Sequence, residues 1–268
     1  MSDSNVIERI QNRENSPICG AVYSIIGDRE YQQDFAGLVV EEKGTLAVVC
    51  DGMGGLNGGE VASREAVRLL LQDYEHIDPK LGMPQFLLAE ASRMDQLVSM
   101  MKDSNGKDLH AGSTVVSVIV QNGQLFWMSV GDSHIYVFRR PTMVRVTKDH
   151  NYRQEVTEAL EHGEISFDQY EQELNTKKVE ALTSYLGMGG LWKVERNLHP
   201  LMLEDGDEIL LCSDGLYKSL EEQQIQALLE DNYSSVPVAV KRLVRMAWEQ
   251  STGHQDNTTA ILLKYRKK

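Results

Sequence analysis

Two apolar, β-branched segments joined by Asn122-Gly123 constrain the fold more than any other feature of this chain. Residues 115–120 and 124–130 flank this dipeptide, and Asn-Gly between such segments is a strong signal for a two-residue β-hairpin. Residues 135–138 and 143–147, separated by Arg140-Pro141-Thr142, indicate a second hairpin. Similar apolar segments bounded by turn residues predict strands at 18–26, 35–40, 45–50, 194–198, 208–212 and 258–265.

The predicted helices lie in separate blocks along the chain. Apolar residues at helical spacing indicate helices at 60–74, 84–101, 152–178, from 221 onward and at 236–249. Ser166 with Gln169, and Ser219 with Glu222, match the capping-box pattern that begins a helix. Hairpin-linked strands with helices in separate blocks favour an α+β fold with antiparallel sheets over alternating βαβ units. Residues 1–16 are polar, and we expect a loose lead-in there.

Composition excludes several classes of function. The 268 residues include 27 Lys and Arg against 40 Asp and Glu, a net charge of −13, which disfavours binding to nucleic acid or anionic membranes. The longest apolar run, 46–50, is far too short to span a bilayer. The first residues do not resemble a signal peptide, and the three cysteines form no CxxC pair. We therefore expect a cytoplasmic protein.

Five aspartates lie at the ends of predicted strands. Asp51, Asp132 and Asp214 each follow a predicted strand, and Asp34 and Asp256 each precede one. Each one taken alone is as consistent with a turn, because Asp-Gly is a common turn dipeptide. Carboxylates that converge on one place repel one another unless cations lie between them. Hard oxygen ligands without Cys or paired His favour Mg²⁺ or Mn²⁺.

Other known phosphate-binding and phosphate-transfer motifs are incomplete or absent in this sequence. The glycine-rich segment from Gly52 has Asn57 at the third glycine position of a dinucleotide fingerprint, and no GxxxxGK[ST] motif occurs. No cysteine is followed six residues later by arginine. Asp205 precedes its strand, where an aspartyl nucleophile would follow one. Ile135 replaces the second glycine of the GDxHG motif.

Eight short motifs occur in order between residues 18 and 265. They are Arg29-x-x-Gln32-Gln33-Asp34, Asp51-Gly52-Met53-Gly54-Gly55, Gly58-Gly59-Glu60, Gly112-Ser113-Thr114, Val130-Gly131-Asp132-Ser133, Thr147-Lys148-Asp149-His150, Cys212-Ser213-Asp214-Gly215-Leu216 and Asp256-Asn257-Thr258. This series resembles the metal-dependent protein phosphatases (PPM, or type 2C) in their bacterial form. The resemblance implies one domain over residues 1–268, a four-layer α-β-β-α sandwich, with a flap-like subdomain at about 151–190.

The resemblance also implies a role for each matching residue. Two Mn²⁺ or Mg²⁺ ions would be held by Asp34, Asp51, the Gly52 carbonyl, Asp214 and Asp256, with Asp132 at a weaker third site. A water between the ions would attack phosphorus without a phosphoenzyme, and Arg29 would hold the phosphate. Taken alone, Arg29 is more simply a surface arginine in a charged turn. Asn257 and His150 would support these groups.

Three departures from the family pattern leave a second function open. Met53 stands where animal relatives have a histidine proposed as general acid, His134 replaces the usual arginine, and Lys218 replaces an acidic residue. The leading prediction is a phosphatase acting on phosphoserine and phosphothreonine in proteins, opposing a bacterial Ser/Thr kinase, and monomeric. The alternative is a catalytically weak module of the same fold that binds phosphoproteins.

Overall fold

Two antiparallel β-sheets form the centre of the molecule. The computed structural model describes residues 6–12, 16–41, 44–55, 58–78, 80–231, 233 and 235–267. The first sheet has the order β1-β2-β13-β12-β8-β9, with β1 Val6–Asn12, β2 Ile18–Ile25, β8 His134–Arg139, β9 Thr142–Arg145, β12 Glu208–Cys212 and β13 Thr258–Tyr265. The second has the order β10-β7-β6-β4-β3, with β3 Asp34–Glu41, β4 Gly44–Met53, β6 Val115–Gln121, β7 Gln124–Val130 and β10 Glu195–Arg196. Two short strands extend the second sheet: β5 Gly112–Ser113 pairs with β4, and β11 Leu201–Met202 pairs with β7.

Helices cover the outer face of each sheet. The second sheet packs against α1 Gly58–Glu75 and α2 Met83–Ser99. The first sheet packs against α5 Asp214–Tyr217, α6 Glu222–Glu230 and α7 Val236–Gln250. The remaining helices, α3 Tyr152–Glu161 and α4 Phe167–Leu174, lie in the predicted flap-like segment. None of the helices in this described part of the chain is long and apolar enough to cross a bilayer.

A third apolar core lies between the two sheets. It combines residues such as Val22, Ile209 and Ile261 from the first sheet with Ala47 and Val116 from the second. Alternating strand residues point to opposite faces, so each strand supplies side chains both to this central core and to a helix-covered outer core. The predicted α+β, four-layer α-β-β-α arrangement is confirmed.

Local turn and capping chemistry explains several boundaries. Asn122 and Gly123 have φ values of 53° and 72°, the positive φ pair of a type I′ hairpin turn. Ser166 caps α4, because its hydroxyl accepts from the Gln169 N–H while the Gln169 side chain accepts from the Ser166 N–H. Both sequence predictions are confirmed.

Three sequence predictions are corrected by the structure. The loose lead-in is wrong for residues 6–12, which form edge strand β1 along β2; edge strands are often polar because one side of their backbone faces solvent. Residues 1–5, 13–15 and Asn57 lie outside the described residues. The strand predicted at 194–198 is only Glu195–Arg196. Ser219 does not cap α6: its hydroxyl donates to Gln255 Oε1, and α6 begins at Glu222.

Candidate active site

Asp34 and Asp51 lie opposite each other at one end of the second sheet. They are paired residues of β3 and β4. Side chains alternate between the two faces of a strand. Asp34 therefore lies on the same face of β3 as Leu38, and Asp51 on the same face of β4 as Ala47, and both of these apolar residues belong to the central core. Both carboxylates therefore lie at the end of the seam between the two sheets.

Asp34 is held by a hydroxyl from the opposite sheet. Ser213, directly after β12, donates its hydroxyl to Asp34 Oδ2 at 2.6 Å. The other oxygen, Oδ1, is buried and has no hydrogen-bond partner among the described residues. Burial, and then the charges of Asp214 and Asp256, raise the pKa of Asp34 to about 7, although hydrogen bonds oppose the shift. An unpaired buried carboxylate oxygen is a position where a cation would be stabilising.

Asp51 is subject to the charges of the other four predicted aspartates. Burial raises its pKa well above the usual range, and four carboxylates contribute in the same direction: Asp34, Asp214, Asp132 and Asp256. Its backbone is fixed, since its N–H donates to Thr114 Oγ1 at 3.0 Å and its carbonyl accepts from the Thr114 N–H at 2.8 Å. The structure thus brings the other four predicted aspartates within electrostatic reach of Asp51.

Glycines allow the strand end and the first helix to meet closely. A Cβ on Gly52 would lie 2.0 Å from the Gly59 carbonyl oxygen, and a Cβ on Gly59 would lie 2.8 Å from the Gly52 oxygen. Both contacts are too short for any side chain. The carbonyl of Gly52, a predicted metal ligand, is consequently held beside the beginning of α1. The end of β4 is positioned against α1 by this contact between the two backbones.

Asp214 begins the short helix α5 and contacts a lysine. Lys218 Nζ lies 2.5 Å from Asp214 Oδ2. The charges of Asp214, Asp132 and Asp51 raise the pKa of Lys218, against the opposing effect of burial. Asp132 is buried, and burial followed by the charge of Asp214 raises its pKa to about 6. The lysine ammonium thus lies among three of the predicted metal-site carboxylates.

Asp256 contacts Arg29, the residue predicted to hold phosphate. The guanidinium lies 2.6 Å from Asp256 Oδ2, with 58% of the Arg29 side chain exposed. Asn257 joins their two loops, accepting from the Gln33 N–H at 2.7 Å and donating to the Ile26 carbonyl at 2.7 Å. Asn257 thereby holds the two loops together, and its supporting role at a metal site stays a prediction.

His150 connects Asp132 to the base of the flap-like segment. The Gly131 N–H donates to His150 Nδ1 at 3.2 Å, and the His150 carbonyl accepts from the Thr183 N–H at 2.8 Å. Burial lowers the pKa of His150 to about 4, so the ring is neutral at pH 7. The supporting role of His150 at the site stays a prediction.

The side chains, as they lie, do not form a ready metal cage. Within the described ranges, no three His, Cys, Asp or Glu side chains are arranged to hold a metal ion. Two of the carboxylates contact cations of the chain instead, Asp214 with Lys218 and Asp256 with Arg29. The hard-oxygen donor set and the unpaired Asp34 Oδ1 nevertheless fit Mn²⁺ or Mg²⁺.

Sequence reasoning missed the hydroxyl groups that support the carboxylates. Ser213 bonds Asp34, and Thr114 Oγ1 contacts both the Asp51 N–H and the Ser133 hydroxyl. All three hydroxyl residues lie inside the motifs Gly112-Ser113-Thr114, Val130-Gly131-Asp132-Ser133 and Cys212-Ser213-Asp214. Their position within these motifs was the available signal, but only the pairing of distant strands identifies their partners.

Solved structures of known proteins share this fold. A Streptococcus agalactiae serine/threonine phosphatase superposes with a TM-score of 0.77 at 23% identity, covering 93% of this chain and 100% of that one. The catalytic domain of the phosphatase PstP, solved in complex with two manganese ions, superposes with a TM-score of 0.73 at 22% identity, covering 93% and 99%. At these identities the two structures establish the fold alone.

Sequence comparison identifies the family. Residues 23–253 match the protein phosphatase 2C family. The serine/threonine phosphatase stp of Listeria welshimeri is 32% identical over 241 residues, covering 88% of this chain and 90% of the relative. The chain belongs to the protein phosphatase 2C family. Its enzyme class is protein serine/threonine phosphatase.

Proposed function

We propose that this chain removes phosphate from phosphoserine and phosphothreonine in proteins by a metal-dependent reaction. The observation that carries the proposal is the gathering of four carboxylates from four separate segments, whose charges act on one another: Asp34, Asp51, Asp214 and Asp256. The name of the Listeria relative and the manganese complex of PstP support the same reading.

Two Mn²⁺ or Mg²⁺ ions are the cofactor in this proposal. They would be held by Asp34, Asp51, the Gly52 carbonyl, Asp214 and Asp256, once the last two exchange Lys218 and Arg29 for metal. When bound, the ions would lower the pKa of water so that it attacks phosphorus directly, and they would neutralise charge on the phosphate. Asp132 is the residue for a weaker third ion, in competition with Lys218.

The chain itself supplies phosphate binding and offers no rival cysteine nucleophile. The half-exposed Arg29 guanidinium can give two parallel hydrogen bonds to phosphate oxygens. Burial raises the pKa values of the thiols of Cys19, Cys50 and Cys212, which disfavours the thiolate that a phosphocysteine needs. These features support hydrolysis without a phosphoenzyme.

The biological setting is part of the proposal. The substrates would be cytoplasmic proteins phosphorylated by a Ser/Thr kinase of the same cell, and the enzyme would act as a monomer. The chain has a net charge of −13, which by itself would repel a phosphate. In this proposal the bound metal ions offset that repulsion at the site where the phosphate of the substrate binds.

The test is phosphate release from a phosphothreonine peptide. We expect turnover with Mn²⁺, loss of turnover in EDTA, and recovery when Mn²⁺ is restored. A matching phosphotyrosine peptide measures the preference for Ser/Thr. Absence of phosphate release at any Mn²⁺ or Mg²⁺ concentration would contradict the proposal.

The contact between Lys218 and Asp214 favours a second candidate, a weakly catalytic phosphoprotein-binding module. In this case the ammonium would keep a metal from Asp214. The same metal titration separates the two functions, because the module would bind the phosphopeptide tightly with negligible phosphate release.

A further inference from the structure

A recess opens at Met53, near the end of β4 that carries Asp51. Met53 lies two residues after Asp51 in the same strand, so both side chains point to the same face. Gly52, between them, points the other way, against Gly59 at the beginning of α1. The Met53 side chain is therefore directed into this recess, about 7 Å along the strand from Asp51.

Met53 and Tyr185 form the apolar walls of this recess. Both pack over Gly112, where an added Cβ would lie 2.9 Å from Met53 Cε and 2.8 Å from Tyr185 Cδ2. His110, exposed and with a φ of 48°, forms the rim. The cavity has a volume of about 320 Å³. We call this cavity, lined by Met53, His110, Gly112 and Tyr185, the Met53 recess.

The far wall of the recess is anchored to the interior of the protein. The segment after Tyr185 is held by buried Asp95, whose Oδ1 accepts from the Gly187 N–H at 2.8 Å and the Gly189 N–H at 3.2 Å. Leu186 exchanges both backbone hydrogen bonds with Ser113. The recess is thus a preformed feature of the fold, which reduces the entropic cost of binding.

The recess and the acidic site share one framework. Ser113, which holds Leu186, also donates its hydroxyl to the Asp51 carbonyl at 3.0 Å. A substrate chain with its phosphate at Asp51 would extend about 3.4 Å per residue. The Met53 recess is consequently within reach of a side chain one or two positions away from the phosphorylated residue.

We infer that the Met53 recess binds an apolar or aromatic side chain next to the phosphorylated residue and so determines which phosphoproteins are preferred. The inference rests on the proposed phosphatase function and specifies its substrate class. A thioether and a phenol ring form favourable contacts with apolar and aromatic groups, and the volume suits one large side chain. An acidic side chain is disfavoured at this position, because its carboxylate would lose hydration against Met53 and Tyr185 without gaining an ion pair.

The experiment uses a set of phosphothreonine peptides that differ at one position. Each position from two before to two after phosphothreonine is occupied in turn by Gly, Leu, Phe or Asp, and kcat/KM for phosphate release is measured with Mn²⁺. At one position we expect Leu or Phe to exceed Gly by about tenfold, as burial of an apolar side chain implies, and Asp to fall below Gly.

Variants assign this preference to the recess. In Tyr185→Ala and in Met53→Ala, which alter two separate segments, the ratio of kcat/KM for Leu over Gly should fall to within about twofold of one, mainly through KM. Tyr185→Phe retains the ring and should retain the ratio. Phe167→Ala removes an aromatic side chain that is 60% exposed on α4 and outside the recess, and it should leave the ratio unchanged.

The outcomes separate the inference from the function on which it rests. If wild-type protein hydrolyses all peptides equally, or if the preference persists in both alanine variants, the inference is wrong and the proposed function stands. If wild-type protein releases phosphate from none of the peptides, the proposed function fails and the inference with it. An equal loss of preference in Phe167→Ala would also overturn the assignment to the recess.

Discussion

The Ser213 hydroxyl donates to Asp34 Oδ2 at 2.6 Å and joins the two sheets at their acidic end. Ser213 follows β12 of the first sheet, whereas Asp34 begins β3 of the second. The same hydroxyl accepts from the Thr259 N–H at 3.0 Å. One side chain therefore positions a proposed metal ligand and connects three segments that are distant in sequence.

Ser213→Ala should destabilise the metal-free protein. The change leaves the buried Asp34 carboxylate without this donor, and an unsatisfied buried polar group costs about 1–3 kcal/mol. We expect the free energy of unfolding, measured with urea at pH 8 in EDTA, to fall by this amount. Ser129→Ala is the matched control, because the Ser129 hydroxyl is buried and has no hydrogen-bond partner in the described structure. Equal losses in both variants would contradict the role of Ser213.

Asp214→Asn should remove metal binding while leaving the fold intact. The amide has the shape of the carboxylate but lacks the charge that attracts a hard cation. We expect Mn²⁺ affinity, measured by calorimetry, to fall more than tenfold and phosphate release to be lost, with an unchanged circular dichroism spectrum. Asp168→Asn, on the exposed surface of α4, should change none of these. Full activity in Asp214→Asn would show that this residue is not a metal ligand.

Arg29→Ala should weaken phosphate binding. A bidentate, charge-assisted contact contributes about 1.5–3 kcal/mol, so kcat/KM should fall by roughly 10- to 100-fold, and inhibition by free phosphate should weaken in parallel. Arg29→Lys keeps the charge but not the paired geometry, and its kcat/KM should lie between those of wild type and Arg29→Ala. Arg68→Ala, which removes an exposed arginine on α1, serves as control. A normal phosphate inhibition constant in Arg29→Ala would exclude the clamp.

The acidic site should make the metal-free protein less stable as pH rises. The pKa of Asp34 is raised to about 7 from a usual value near 4. The stability that belongs to its protonated form is therefore fully present below about pH 4 and is lost as pH rises through 7, at roughly 1.4 kcal/mol per pKa unit at most. Asp34→Asn removes this contribution. We therefore measure the free energy of unfolding in EDTA at pH 5 and at pH 8. The decrease from pH 5 to pH 8 should be larger in wild type than in Asp34→Asn.

This comparison of two proteins cancels an opposing contribution from His150. Its pKa is lowered to about 4 from 6.5, so the stability due to its neutral ring is present above pH 6.5 and is lost as pH falls. Both proteins contain His150, so the difference between them measures the contribution of Asp34 together with the effect of its charge on Asp51. Identical pH dependence in the two proteins would contradict the raised pKa of Asp34.

Lys218→Ala should strengthen Mn²⁺ binding. Its ammonium lies 2.5 Å from Asp214 Oδ2 and must leave before a cation binds that oxygen. Removal of one positive charge among carboxylates should raise the affinity about three- to tenfold at low salt, and less at high salt because of screening. Lys102→Ala, which removes an exposed lysine paired with Asp108, should leave the affinity unchanged. Weaker Mn²⁺ binding in Lys218→Ala would indicate that the ammonium supports the site.

Local signals in the sequence predicted most of the strands and helices. Asn122-Gly123 requires a tight hairpin because both residues adopt positive φ, and Ser166 begins α4 through contacts within three residues. Predictions failed where partners from elsewhere decide the structure. Residues 6–12 form a strand only because β2 accepts them at its edge, and Ser219 bonds Gln255 instead of capping a helix.

The sequence by itself determined which chemistry is available: aspartates at strand ends, glycines where backbones must meet, and no cysteine-phosphatase motif. Only the tertiary structure decided how these groups are combined. It paired Asp34 with Asp51, brought Ser213 across from the other sheet, directed Arg29 onto Asp256, and closed the Met53 recess with Tyr185. The physical reason is that strand pairing and packing between sheets fix distances between residues far apart in the chain, which periodicity and spacing cannot encode.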